Sequence, residues 1–260
     1  MSQSIFSNVV LSEQYDSILT TKLDANQFIT VEELPAGTGL TKRVITYTAT
    51  GDVDDLNAGV GNTNTVEVSY TTKDYTVKTT QGRFVYRDED AQQDAYAIEA
   101  GLEGLAETMA NDWFAKAVDE WEDATKTVTY TGSITFDVIV DALGQLNLEN
   151  EEECFLLIST GARDGFRKSL KDDLKYVEAF SRTGYIGSVA GVPVYVSKAL
   201  TANSAILATK KAVTAFIAPA TEMEQERNAN TRTTTVYARR LAVVALSDAR
   251  KVCLITKSGS

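Results

Sequence analysis

The sequence contains no histidine, and that absence excludes more than any motif does. Without imidazole there is no His–Cys zinc site, no Ser–His–Asp triad and no histidine acid–base pair. An enzyme on this chain would have to work with carboxylates or lysine. Cysteine is nearly as scarce. Cys154 and Cys253 sit in "ECFLLI" and "KVCLI", both strand-like, and no C-x-x-C pair occurs. Buried free thiols are the simplest reading of both. Long apolar runs are missing too: none approaches the ~18–20 residues a membrane helix needs. The opening "MSQSIFSNVVLSEQYD" has neither the basic start nor the apolar core of a secretory signal. Together these absences point to a protein made and used in a cytosol, with no membrane partner.

What is present is ordinary in amount and unusual in placement. The 260 residues, 43% apolar and 23% charged, suffice for one large domain or two small ones. Net charge is −11, but residues 88–123 alone hold twelve Asp or Glu against one Lys. Residues 161–260 hold sixteen Lys or Arg against eight acids. A chain with one acidic and one basic segment can attract copies of itself head to tail. Two solvated faces of a monomer explain the pattern equally well. The diluted basic residues and the overall sign argue against direct binding of nucleic acid.

Along the chain, residues 1–36 show no strong period and end at the turn-prone "LPAGTG". "TKRVITYTAT" and "TVEVSYTTKDYTVKTTQGRFVYR" read as strands, rich in Thr, Val and Tyr. Between them lies "GDVDDLNAGVGNTN". A two-stranded excursion is marginal alone in water, so it must lie on its own body or across a neighbour. Residues 89–123 predict one long helix, with Ile98, Leu102, Leu105, Met109, Trp113 and Trp121 as its apolar stripe. Gly101 and Gly104 within it suggest a bend or a close backbone contact. Glu99, Glu103 and Glu107 repel at i, i+4 spacing. Asp119, Glu120, Glu122 and Asp123 crowd an end where the helix dipole is already negative, so they call for cations from elsewhere.

Residues 134–148 predict an amphipathic helix, "CFLLIS" a buried strand and "GARDGFRKSLKDDL" a basic surface helix. "GSVAGVPVYVS" is a glycine-marked turn entering a strand. "AILATKKAVTAF" is apolar with two lysines at its middle. "EMEQER" and "TTTVYARRLAVVAL" flank "NANT" as a hairpin, and "ARKVCLIT" closes the chain as a strand. Strands and helices mix without a βαβ rhythm, so the fold class is α+β.

Catalytic and ligand motifs fail on inspection. "GVGNTN" ends on Asn64 rather than glycine, and "GTGLTK" lacks the spacing of a phosphate loop. "DVDDLNAG" places Leu56 where a calcium loop needs an oxygen ligand and Thr63 where it needs Glu. "GSVAG" is preceded by Ile186, not by the glycine of a nucleophile elbow. No cofactor or metal is expected.

The C-terminal stretch "AGVPVYVSKAL…AILATKKAVTAF…EMEQERNANTRTTTVYARRLAVVALSDARKVCLI" resembles the major capsid proteins of tailed bacteriophages, with the Hong Kong ninety-seven-type fold. The order of parts upstream is similar as well. The resemblance implies an N-terminal arm at 1–37 and an extended loop at 38–87 lying across an adjacent subunit. It implies a peripheral domain at 88–130 and 221–246, including a spine helix, and an axial domain at 131–220 and 247–260. It implies a structural protein, not an enzyme, self-assembling into hexamers and pentamers of an icosahedral head around double-stranded DNA. The virion capsid is its implied location, after assembly in the bacterial host cytoplasm.

Expected interface residues are the Glu99, Glu103 and Glu107 row and the hairpin tip with Asn228, Asn230 and Thr231. Arg227, Arg232, Arg239 and Arg240 would face carboxylates of neighbours, or pair within the chain. Lys73 and Lys78 of the extended segment are expected at the interface as well, but no motif marks an Asn partner for an isopeptide crosslink, so none is expected. With only about 37 residues before the extended loop, a separate scaffolding protein is implied, or none. A portal protein and, indirectly, packaged DNA complete the implied partners. Alternatives are an encapsulin-like nanocompartment shell and, in another class, a soluble carboxylate-dependent hydrolase.

Overall fold

Two sheets share one long helix. The structure is a computed structural model and describes residues 15, 27–34, 39–93, 96–148, 153–169, 185–219 and 221–258. Its strands in chain order are β1 (Thr30–Glu33), β2 (Thr41–Thr50), β3 (Glu67–Thr76), β4 (Lys78–Arg87), β5 (Lys126–Tyr130), β6 (Cys154–Ser159) and β7 (Tyr185–Val189). They continue with β8 (Val192–Ser197), β9 (Ser204–Thr209), β10 (Val213–Ile217), β11 (Glu222–Asn228), β12 (Thr233–Leu246) and β13 (Val252–Lys257). The helices are α1 (Asp88–Gln93), α2 (Ala97–Glu122), α3 (Phe136–Leu146) and α4 (Thr160–Ser169). The single helix expected over 89–123 is therefore two, with Tyr96 at the start of the second. Residues 94–95, and 170–174 of the expected basic helix, lie outside the described residues.

β5-β13-β9-β6-β8-β7 form a six-stranded sheet. Alternate residues of β6 face opposite cores. Phe155 and Leu157 join the cluster around α2, whereas Leu156 and Ile158 join Ile139, Leu143 and Phe166 of α3 and α4. A sheet buried on both faces needs apolar residues at successive positions, which is why "CFLLIS" carries no alternation. A β7–β8 hairpin turns through Ala190 and Gly191, both at positive φ (51° and 80°).

β1-β10-β12-β11 form the second sheet, with β4 on the other side of β12. One face, through Ala215, Ile217, Val236, Ala238 and Val244, packs on the apolar stripe of α2. All six expected stripe residues are buried, Trp121 completely. Gly101 of α2 and Gly82 of β4 permit the close approach. A Cβ on Gly101 would stand 2.6 Å from the Phe84 ring, and one on Gly82 would meet Leu105. The C-terminal part of β12 turns Val243 and Ala245 to the other face, where Tyr75, Val77, Leu34 and Phe216 cover them.

Two strand pairings cross the expected divisions. β5 pairs with β13 in the six-stranded sheet, although residues up to 130 were assigned to the layer of the long helix. β10 pairs with β12 in the other sheet, although residues up to 220 were assigned away from it. Lys210 and Lys211 mark the reason. They form a tight turn, closed by Ala212 N–H donating to Thr209 O, at which the chain leaves one sheet for the other. The expected arm is also partly body. Phe28 and Ile29 are core residues, β1 runs parallel to β10, and Tyr15 donates to Met109 Sδ at 3.0 Å. Residues 1–14, 16–26 and 35–38 lie outside the described residues.

Candidate assembly surfaces

β2 and β3 form a two-stranded ribbon in unbroken register from Thr41↔Thr76 to Thr50↔Glu67. The pleat gives it two faces. Lys42, Val44 and Thr46 face the body. Lys42 Nζ lies 4.2 Å from the centre of the Phe216 ring, Val44 packs on the Tyr75–Val243 cluster, and Thr46 Oγ1 donates to Ser247 O at 3.1 Å. The Tyr75 hydroxyl accepts from Leu246 N–H at 3.1 Å, and burial pushes the phenol pKa up. The root of the excursion thus lies on its own body. β4, expected as part of the same excursion, is a full strand of the body sheet, paired with β12 from Lys78↔Ala242 to Arg87↔Thr233.

Arg43, Ile45, Tyr47, Val68, Tyr70 and Asp74 share the outward face, set by the cross-strand pairs Arg43↔Asp74 and Tyr47↔Tyr70. Arg43 forks onto Asp74 with bonds of 2.7 and 2.8 Å, and this raises the arginine pKa and lowers the aspartate's. Beyond it the apolar side chains are uncovered: Tyr47 is 61% exposed, Val68 64% and Tyr70 70%. At the tip, the Asp54 carboxylate accepts from Asn64 N–H (2.9 Å) and Thr63 N–H (2.7 Å). These backbone bonds hold its pKa below the usual carboxylate range. The calcium-like stretch is therefore a self-closed loop.

The acidic end of α2 finds its cation in this ribbon. Lys73 Nζ lies 3.7 Å from both Glu120 and Asp123. Burial opposes the Lys73 charge, but contact with Tyr75 and the fields of Glu120 and Asp123 outweigh it and raise the pKa. Glu122 accepts from Thr201 N–H and Thr201 Oγ1, each at 3.1 Å. Glu99, Glu103 and Glu107 lie exposed along one side of α2. Lys78 is exposed at the start of β4.

The four arginines all have partners inside the chain, the second of the two expected arrangements. Arg227 reaches Asp88 at 2.6 Å and Arg232 reaches Glu89 at 3.0 Å. Arg239 bridges Glu222 (2.5 Å) and Glu224 (3.0 Å), and Arg240 donates to the carbonyls of Ala218 (2.6 Å) and Pro219 (3.1 Å). None of the four meets the Glu99–Glu107 row within the described residues. At the hairpin tip, Asn228 Oδ1 accepts from Asn230 N–H (3.0 Å) and Thr231 N–H (3.4 Å), and Arg232 adopts a left-handed φ of 51°. The acids that hold these arginines were missed, although one signal existed. Counting back from the Asn228↔Thr233 closure places Arg239 opposite Glu222.

Solved capsid structures share the fold of this chain, with its two-stranded ribbon, long helix bearing an acidic face and two sheets. A capsid of a native GTA particle matches with a TM-score of 0.71 at 15% identity, covering 92% of this chain and 91% of its own. A structure from Mycobacterium phage Che8 matches at 0.66 and 21% identity, covering 86% and 87%. A virus-like particle from Pyrococcus furiosus matches at 0.64 and 11% identity, covering 94% and 97%. No family model and no curated protein sequence matches the chain.

Proposed function

We propose that the chain is a structural capsid subunit. Its copies associate into hexamers and pentamers of an icosahedral phage head that encloses double-stranded DNA. The observation that carries this is the ribbon: its root is built into the body, while its outer half exposes Tyr47, Val68 and Tyr70. A two-stranded ribbon with an uncovered apolar face is poorly stable alone. A neighbouring copy supplies the missing cover. The head location, host-cytoplasm assembly, a separate scaffolding protein and a portal partner belong to the same proposal.

The peripheral and axial divisions follow the two sheets. The helix α2 with the β4-containing sheet is the peripheral body, and the six-stranded sheet with α3 and α4 is the axial body. The Asn228–Thr231 tip, with Asn230, stands at a meeting of copies. The Arg232–Glu89 pair is exposed and single, and exposed pairs are worth little. Arg232 can therefore trade Glu89 for a neighbour's carboxylate, the Glu99–Glu103–Glu107 row among them. Arg227 can do the same from Asp88. Arg239, held by two acids, and Arg240, held by two carbonyls, have less to gain. The exposed row on α2 faces the interior and repels packaged DNA.

Electron microscopy and sedimentation of the purified chain test the proposal. Shells or capsomers support it, and a uniform particle near 28.3 kDa at all concentrations overturns it. A nanocompartment shell is the second reading, since a similar structure at a TM-score of 0.64 is named a virus-like particle and not a phage capsid. Purified particles carrying a defined protein cargo and no DNA would select it.

A further inference from the structure

A cleft of about 330 Å³ lies between β4 and α2. Leu105 and Met109 give it an apolar wall. Thr80 Oγ1 accepts from Trp113 Nε1 and from Lys116 Nζ, both at 3.3 Å. Lys116 also holds Asp112 at 2.5 Å, and Lys78 stands at the rim with no ion pair among the described residues. Two ammonium groups against one carboxylate leave the cleft positive. β4 is an edge strand as well. Among the described residues it pairs with β12 alone, so its outer backbone groups are open.

Tyr15 stands against the wall of this cleft. It is fully buried, and its hydroxyl donates to Met109 Sδ at 3.0 Å. Residues 1–14 therefore join the body beside the cleft. Their sequence, "MSQSIFSNVVLSEQ", suits it. Ile5, Phe6, Val9 and Val10 favour an extended strand, and Glu13 is the one charged side chain. Glu13 lies two residues from Tyr15, about 7 Å of extended chain, and carries the sign the lysines lack. Residues 4–13 would extend over roughly 33 Å, the reach of the ten residues of β4.

We propose that residues 4–14 close the β4–α2 cleft of their own chain, extended along the open edge of β4. Glu13 meets Lys78 and Lys116, and the apolar side chains of residues 5–11 cover Leu105 and Met109. The five-stranded sheet gains a sixth strand, and the edge of β4 is hidden from unwanted pairing. Each copy supplies this cover for itself, so the contact is separate from the self-association proposed above.

Disulfide mapping tests it. Ser12→Cys and Gln81→Cys are placed in one chain, and also in two chains that are mixed before assembly; Gln81 lines the cleft. Native Cys154 and Cys253 are 2% and 0% exposed, so the background is low. After oxidation with diamide, the chain carrying both cysteines should give a monomer with an internal bond. It is read as a faster band on a non-reducing denaturing gel and as a linked peptide pair by mass spectrometry. The mixture should give no dimer. Adding Glu13→Lys should slow the bond about fivefold, and Lys78→Glu in that chain should restore most of the rate. A mixed dimer would mean that the segment reaches a second copy, and it overturns the proposal. So does a doubly substituted chain that stays reduced, or a rate that Glu13→Lys leaves unchanged. Whether particles form is read independently by microscopy, so the shell-subunit reading stands or falls apart from this one.

Discussion

Gly101 and Gly104 stand three residues apart on α2, and the same substitution should act oppositely at the two. Alanine is favoured over glycine in a helix interior by about 1 kcal/mol. A Cβ at Gly104 meets nothing within 4 Å, so Gly104→Ala should stabilise by that amount. At Gly101 the new methyl would lie 2.6 Å from two carbons of the Phe84 ring. Phe84 packs against the main core, and its backbone is fixed opposite Val236. Overpacking of this kind costs about 1–3 kcal/mol. The helix-propensity gain is common to both variants and cancels in the comparison. Gly101→Ala should therefore be less stable than Gly104→Ala by about 1–3 kcal/mol, a melting-temperature gap of several degrees for a chain this long. The assay is thermal unfolding of both variants at one protein concentration, because assembly shifts apparent stability. Adding Phe84→Leu to Gly101→Ala should recover part of the loss. Equal melting temperatures would refute the helix–strand contact that sets the peripheral layer.

Asp248→Asn gives a second test. Burial pushes the Asp248 pKa up, but bonds from Arg250 and the charges of Arg250 and Lys251 outweigh it and hold it low. A depressed pKa stabilises above the unfolded value near 4, and that stability is lost as pH falls through the native value. The variant should lose about 1–3 kcal/mol at pH 7, with the gap from wild type closing in acid. A gap independent of pH would contradict it. Burial raises the Cys253 thiol to about 11, so the folded protein should resist maleimide at pH 8 and react after denaturation. Rapid labelling of the native chain would count against the core. Reversing Glu99, Glu103 and Glu107 to lysine should increase nucleic acid retained by expressed particles; unchanged retention would remove the interior role of that face.

Much of this architecture was legible because it follows local rules. The stripe from Ile98 to Trp121 has helical spacing, and "CFLLIS" has the continuous apolarity of a strand buried twice. The hairpin around "NANT" carries its turn residues. Partition between sheets was not legible. β9 and β10 are both apolar and nearly contiguous, and only the Lys210–Lys211 turn separates their destinations. The acids that hold Arg227 and Arg232 were not legible because Asp88 and Glu89 are remote in sequence, whereas the Arg239–Glu222 pair follows from hairpin register. Tyr75 looked like any residue of a Thr-rich strand, and nothing in the sequence paired Lys73 with the end of α2. Their burial and their contacts with α2 and β12 arise only from the way the ribbon root folds down.

Amide hydrogen exchange over residues 44–72, measured in assembled particles and in dissociated subunits, bears most directly on whether one copy is incomplete. Slow exchange of the outer half in particles and fast exchange in subunits is the expected pair of results, with residues 41–43 and 73–76 protected in both. Equal protection of residues 47–70 in the lone subunit would mean that the ribbon needs no neighbour.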